Sequence, residues 1–257
     1  MNLMSLADRV VVVTGAGQGI GKAIAKGAID LGARVVAVDV NATTLDVLSR
    51  ELPESQLLTL TGSVADPQFA QSVMQRAVTR FGAVHGLVNN AGIVMAAMIH
   101  KMTVEQWRQV IDVNMSGAFY FLQAVGQHML ERAKAGDVSG GAIVNISSDA
   151  GLRGTVGQIN YSAAKSAMLG MTMSAAREWG KYSIRVNTVA FGVVETEMTQ
   201  KIRGESELRD KYLAQIPFGR WSTPEEVATP VLFLLSGAAS YVTGQHLSVN
   251  GGYHMSA

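Results

Sequence analysis

The stretch Val10-Val11-Val12-Val13-Thr14-Gly15-Ala16-Gly17-Gln18-Gly19-Ile20-Gly21 decides the fold. Four β-branched residues in a row, ended by glycines, read as a short strand buried on both faces, as in a parallel sheet. Beyond them, apolar or small residues at Ile20, Ala23, Ile24, Gly27, Ala28 and Leu31 recur with helical period. Strand, glycine turn and helix in that order make a phosphate cradle. The glycines let the backbone approach a pyrophosphate, which then rests at the helix N-terminus. The spacing is T-G-x-x-x-G-x-G and not G-x-G-x-x-G, so placement between strand and helix carries the reading. Gly15, Gln18, Gly19, Ile20 and Gly21 are the expected cofactor contacts.

Outward from this unit the same alternation continues. Strands are expected at Val35 to Val38, Leu57 to Leu60, Val84 to Val88, Ala142 to Ile146, Ile184 to Val189 and His246 to Val249. Helices are expected at Thr43 to Leu52, Phe69 to Phe81, Thr103 to about Ala133, and Tyr161 to Tyr182. A last helix opens at Pro224 with Thr223 as its N-cap. The expected fold is therefore α/β: a single doubly wound parallel sheet of about seven strands with helices on both faces. One domain is expected over residues 1–257. Its cofactor half would be about 1–150 and its catalytic and substrate half about 140–257. The polar, weakly periodic segment at about 195–215 follows a strand's carboxyl end and is expected to be a mobile lid.

Composition bounds the function. Of 257 residues, 48% are hydrophobic and 16% charged, enough for a large core and too few charges for disorder. The net charge of +1 gives no electrostatic case for nucleic acid or an anionic membrane. There is no cysteine, hence no disulfide or thiol nucleophile. His85, His100, His128, His246 and His254 are scattered without metal-ligand spacing, so no metal is expected. Met1 to Arg9 lacks a basic segment followed by a long apolar one, and no run is long enough for a membrane span. A cytoplasmic protein is expected.

Asp39 ends the second strand, eighteen residues after Gly21. A carboxylate there can accept hydrogen bonds from adenosine ribose hydroxyls and would repel a 2′-phosphate. Val38, Val40 and Asn41 supply no cation, and Arg34 precedes the strand. NAD(H) is expected in preference to NADP(H).

Tyr161 and Lys165 are four residues apart, on one face of a helix. A free phenol titrates near ~10, and a neighbouring ammonium lowers that value, making the tyrosine a usable acid or base. Ser148 lies just past a strand and offers a hydroxyl to a substrate oxygen. Taken alone, the pair is more often a packed ring beside a solvated amine.

The loop Thr14 to Gly21, then Asn89-Asn90-Ala91-Gly92, Asn114, Ser148 and Tyr161-Ser-Ala-Ala-Lys165 occur in one order over nearly the whole chain. Together they resemble the short-chain dehydrogenase/reductase family. The resemblance implies a Rossmann fold, a nicotinamide cofactor, and a catalytic centre of Ser148, Tyr161 and Lys165 with Asn114 as fourth member, holding a water in a proton relay from Lys165. It selects Ser148 over Ser147, thirteen residues before the tyrosine. It also implies that Lys165 bonds the nicotinamide ribose and that Asn90, Ala91 and Gly92 run alongside the cofactor. Two stretches depart from the family pattern. Gly62-Ser63-Val64 stands where an aspartate often touches the adenine, so Ser63 and Val64 are the expected contacts. Phe191-Gly192-Val193-Val194-Glu195-Thr196 lacks the usual proline. Gly192, Val194 and Thr196 are expected at the cofactor, with Thr196 on the carboxamide.

The ending Tyr241 to Tyr253 and Pro224-Glu225-Glu226-Val227 resemble 3-oxoacyl-acyl-carrier-protein reductases. A 3-oxoacyl thioester is thus the first expected substrate, with acyl carrier protein as an expected partner. Arg132, Lys134 and Lys181 are candidates for a basic patch to receive it. Val94, Met95, Met98, Leu152 and Phe191 are the apolar candidates around the substrate. They suit an acyl chain or steroid and could equally be core. A catabolic alcohol, polyol or hydroxysteroid dehydrogenase, and a dinucleotide-binding scaffold without turnover, are the competing readings. The long helix from Thr103 and the helix from Tyr161 imply, through the resemblance, a homotetramer.

Overall fold

The structure, a computed structural model, describes residues 2–255. In chain order the elements are β1 (Val10–Thr14), α1 (Gly19–Asp30), β2 (Arg34–Asp39), α2 (Ala42–Glu51), β3 (Leu57–Thr61), α3 (Pro67–Phe81) and β4 (Gly86–Asn89). Then come α4 (Val104–Ile111), a π-helical turn (Asp112–Ser116), α5 (Gly117–Lys134), β5 (Gly141–Ser148), α6 (Asp149–Arg153) and α7 (Ile159–Trp179). The chain closes with β6 (Ile184–Phe191), α8 (Gln200–Gly204), α9 (Ser206–Leu213), α10 (Pro224–Leu235) and β7 (His246–Val249).

The seven strands lie in the order β3-β2-β1-β4-β5-β6-β7, all parallel. All five residues of β1 are buried, as their unbroken β-branched run requires of a strand covered on both faces. On one face, Ile24 and Ala28 of α1 pack with Val231 and Leu235 of α10. On the other, Val73 of α3, Phe121 and Val125 of α5 and Ala175 of α7 form a second core. The order reverses beside β1, which has β2 on one side and β4 on the other. A crevice opens there at the carboxyl ends of the strands, and ligands of such sheets bind in it.

The expected elements are present, with shifted edges. The fourth strand starts at Gly86, after His85, and α7 starts two residues before Tyr161. Thr103 caps α4, with its hydroxyl accepting from Gln106 N and the Gln106 side chain accepting from Thr103 N. Thr223 and Glu226 repeat this box on α10, whose first residue is Pro224. The short helix α6 was not foreseen. Segment 195–215 folds as a 3₁₀ turn and the two helices α8 and α9, neither of which buries a residue. Among the described residues no helix is long and apolar enough to cross a membrane.

Two histidines accept hydrogen bonds from the chain at the amino ends of β1 and β4, opposite the crevice. Val10 N donates to His85 Nδ1 at 3.1 Å, and Val84 N donates to His128 Nε2 at 3.1 Å. Each ring must be neutral at that nitrogen to accept. Desolvation, aided by Arg132, pushes His85 down from 6.5 to about 4. A histidine depressed on folding stabilises fully above its unfolded value, and that contribution is lost as pH falls from about 6.5 towards 4. Melting temperature is accordingly expected to drop over this window, and His85→Gln, which keeps an acceptor that does not titrate there, to flatten the slope.

Candidate active site

The carboxyl ends of β1, β4, β5 and β6 open onto one cavity of about 1240 Å³. Gly15, Gln18, Gly19, Ile20, Gly21, Asp39, Ser63, Val64, Asn90, Ala91, Gly92, Gly192, Val194 and Thr196 all border it, as do Ser148, Tyr161 and Lys165. Asn114 stands just behind.

The glycine loop is shaped for close approach. A Cβ on Gly21 would lie 2.0 Å from Gly15 O and 2.6 Å from Asn90 Nδ2. Asn90 Nδ2 donates to Thr14 O at 2.9 Å and Gly15 O at 3.1 Å, tying the loop after β4 to the loop after β1. The Thr14 hydroxyl accepts from Asn90 N and Ala91 N, at 3.0 and 3.1 Å. Gln18, the N-cap of α1, makes no side-chain cap, and the first turn carries no acid. The leading amides therefore face the cavity without a side-chain partner, which suits a pyrophosphate. The open side of Gly19 is met by Thr196, whose Cγ2 would lie 3.3 Å from an added Cβ.

Asp39 borders the cavity at the carboxyl end of β2. Its Oδ2 accepts from Gly17 N at 2.9 Å and its Oδ1 from Asn41 N at 3.0 Å. An ionised carboxylate has about four acceptor sites, so two remain for ribose hydroxyls. Ser63, beyond β3, accepts from Ala65 N at 3.2 Å, while Val64 is buried in the second core.

The reaction end is built where β5 meets α6 and α7. Ser148 is both the last residue of β5 and the N-cap of α6, accepting from Ala150 N at 3.2 Å. Its hydroxyl lies near that of Tyr161, close enough to oppose the rise in the tyrosine's pKa. Lys165 is buried, with Nζ donating to Ile146 O at 2.9 Å and standing 5.7 Å from the Tyr161 ring centroid. Desolvation lowers Lys165 from 10.5 to about 8. Ser147, the rival serine, donates instead to Lys165 O at 2.8 Å and is buried. Gly151 lets the helices touch, since a Cβ there would lie 2.7 Å from Lys165 C.

Asn114 sits in the π turn, and its amide is committed to the loop after β4. Ile93 N donates to its Oδ1 at 2.8 Å and its Nδ2 donates to Ile93 O at 2.9 Å. A Cβ on Gly92 would lie 3.4 Å from Asn114 Oδ1 and 3.5 Å from Lys165 Nζ, so the two residues flank Gly92.

Several expectations need correction. Burial raises the Tyr161 pKa, and nearby Ser148 opposes this; the expected lowering by Lys165 is not found, and Lys165 Nζ donates to Ile146 O. Leu152 does not border the cavity, nor do Met95 and Met98. On this short helix Arg153 borders the cavity, while Gly151 lies against α7. Val94 does border it; Phe191 borders it too but is buried among Ile146, Val189 and Val194 in the first core. The basic patch is at the wrong end of the sheet. Lys134 precedes β5 and Lys181 precedes β6, whereas the cavity lies past the strands' carboxyl ends. Arg132 there is engaged by Asp137, Ser139 and the Val84 carbonyl.

Residues without any earlier assignment also line the site: Arg153, Asp149, Tyr212 and Tyr253. Nothing local marks them, because a hundred residues separate Arg153 from the ring it stacks on.

Over residues 15–254 the chain matches a family model described as enoyl-(acyl carrier protein) reductase. It is 40% identical over 252 residues to the 3-oxoacyl-[acyl-carrier-protein] reductase FabG of Thermotoga maritima, covering 97% of this chain and 99% of that one. A crystal structure from Brucella melitensis, described as a short-chain dehydrogenase/reductase of glucose/ribitol dehydrogenase type, superposes with a TM-score of 0.90 at 32% identity over 100% of both chains. Another, from Agrobacterium tumefaciens and described as a candidate 2-deoxy-d-gluconate 3-dehydrogenase with bound NADP, gives 0.89 at 35% identity over 98% of this chain and 99% of that one.

Gly21→Ala places a methyl against the Gly15 carbonyl, and overpacking of this kind costs about 1–3 kcal/mol. The dissociation constant for NADH in a fluorescence titration is expected to rise about 5- to 100-fold, with a cooperative melt retained.

Proposed function

The chain belongs to the short-chain dehydrogenase/reductase family, and from that premise we propose that it reduces 3-oxoacyl thioesters with NADH. Members of this family are NAD(P)-dependent oxidoreductases acting between C=O and CH–OH. The observation that carries the reading is Ser148, Tyr161 and a buried Lys165 brought to one cavity, with Val94, Ile202 and Leu208 in its wall.

The bound nicotinamide supplies the hydride. The chain's residues do the rest. Ser148 donates to the substrate carbonyl oxygen and fixes it beside the Tyr161 hydroxyl. Tyr161 gives that oxygen its proton, so that ketone, hydride and proton become the alcohol. Lys165 would hold the ribose of the cofactor and stabilise the tyrosinate left behind. Asn114 orients the loop after β4, and its place in a widened turn favours a water relay along the main chain. The helices α8 and α9 act as the lid, consistent with their lack of buried residues.

The preference for NADH rests on Asp39. Of the cavity's lining, only Arg153, Lys165 and Lys211 are lysine or arginine, and Lys22 is paired with Glu51 at 2.7 Å. A 2′-phosphate beside Asp39 would meet a like charge, at a cost of several kcal/mol. The relative with bound NADP makes this a point to measure. Sugar-type dehydrogenases among the solved structures, with Thr155 and Gln158 in the wall here, favour polyol oxidation as the second reading.

Exposed Val104, Trp107, Phe119 and Met173 lie on α4, α5 and α7. They support a homotetramer built on these helices. Light scattering at micromolar concentration is expected to give four copies; a monomer would sink the assembly.

Initial rates with acetoacetyl-CoA test the function directly. NADH is expected to exceed NADPH by at least about tenfold in kcat/KM, given the cost of a like charge. Equal or faster turnover with NADPH overturns the role of Asp39. Tyr161→Phe is expected to lower kcat by about 10²–10⁴ without changing the melt. No turnover by either enzyme, with NADH still bound, would leave the polyol and scaffold readings.

A further inference from the structure

One wall of the cavity takes no part in the reaction drawn above. Arg153, the last residue of α6, lays its guanidinium over the Tyr253 ring, 3.8 Å from the centroid. Tyr253 lies in the segment after β7. It also faces Tyr212 of α9, with ring centroids 6.0 Å apart and planes at 33°. Lys211, beside Tyr212, borders the same space. Three separate elements thus meet in one strip.

The charge of this strip is unbalanced. Among the described residues no ion pair includes Arg153 or Lys211. The cavity's acids are Asp39, Asp149 and Glu197. Asp39 is at the carboxyl end of β2 and bonded to backbone amides. Asp149 is buried, accepts from Asn250 Nδ2 at 2.9 Å, and has its carboxyl raised by burial, with Arg153 only a minor opposing pull. Glu197 is exposed on the 3₁₀ turn before α8 and pairs with neither cation. A guanidinium stacked on a ring is held in place without being neutralised, and its planar fork of N–H donors stays open at the edge.

We propose that Arg153, braced on Tyr253 and assisted by Lys211, is an anion subsite that selects substrates carrying a negative group beyond the reacting carbonyl. The inference rests on the oxidoreductase reading of Ser148, Tyr161 and Lys165. Arg153 is five residues along α6 from Ser148, about 7.5 Å of helix rise, so the anion lies within a side chain's reach of the reacting carbon. It is an oxyanion that the arginine fork can pair bidentately. Two substrate types carry one: a free oxo acid through its carboxylate, and a thioester through the phosphates of its carrier arm folded along the wall.

Two matched ketone pairs separate these sources. Acetoacetyl-CoA is compared with acetoacetyl-N-acetylcysteamine, which lacks phosphate, and acetoacetate with its neutral methyl ester. The wild type is expected to favour the charged member of at least one pair in kcat/KM. R153Q lowers that preference about tenfold, the low end for a charge-assisted hydrogen bond. K211Q lowers it less, and R153K restores part of it. The pair that responds identifies the anion. Wild-type preferences in R153Q, or equal losses on charged and neutral members, overturn the subsite. Turnover of thioesters without such a response therefore refutes the subsite and spares the proposed function. A response confined to the acetoacetate pair, with thioesters inert, does the reverse. Should none of the four be reduced, acetoacetate binding to the NADH complex is read by calorimetry, and affinity equal in wild type and R153Q overturns the subsite.

Discussion

A lysine amine buried without a carboxylate is the feature on which the active end of this molecule depends. Lys165 is 3% exposed, and the cost of that burial appears as its fall to about 8. The position is held because one strand and one helix are locked around it. Ile146 O accepts from Nζ, Ser147 donates to Lys165 O, and Gly151 lets α6 lie against the α7 backbone. Ser166 in turn donates to Gly151 O. The joint brings Ser148 and Tyr161 to one cavity, although one belongs to a strand end and the other to a helix. An ammonium so placed has little stabilisation of its own, so it is ready to take up new partners.

A buried polar layer carries that joint across the sheet. Asn89 Nδ2 donates to Asn145 Oδ1 at 2.9 Å, and Asn145 Nδ2 donates to Thr172 Oγ1 at 2.8 Å. Thr188 Oγ1 donates to Thr172 Oγ1 at 2.7 Å, so β4, β5, β6 and α7 are threaded on one chain of hydrogen bonds. A partner left unmade inside such a chain costs about 1–3 kcal/mol. Asn160 performs the matching task outside the sheet, donating to Met95 O and Gln106 O, both at 3.1 Å. Cofactor cradle and catalytic helix are thereby held by the same loop, Asn90 binding it to β1 and Asn114 and Asn160 binding it to the helices.

What could be read beforehand was what local chemistry writes into neighbouring residues. The glycine loop, the Asp39 strand end, the Tyr161–Lys165 spacing and the Thr223–Pro224 helix start each declare themselves within a few positions. Ser148 over Ser147 came through the family resemblance; in the structure the Ser147 hydroxyl donates to Lys165 O. The misreadings concern facing. Leu152 was expected at the substrate by its apolar type and its neighbour Arg153 had no assignment, yet only the arginine borders the cavity. Lys134 and Lys181 were eligible by charge, and they stand at the opposite ends of their strands from the reaction.

By itself the sequence determined the alternation of strand and helix, because hydrophobic period and glycine or proline punctuation act over a few residues. It likewise determined which residue types can cradle a phosphate or move a proton. Only the tertiary structure decided which charges remain unpaired, which serine donates to Lys165 O, and that Tyr253 from the chain's end completes a wall with Arg153 and Tyr212. Those outcomes depend on desolvation and on contacts between segments far apart in the chain, and neither leaves a periodic mark on the residues involved.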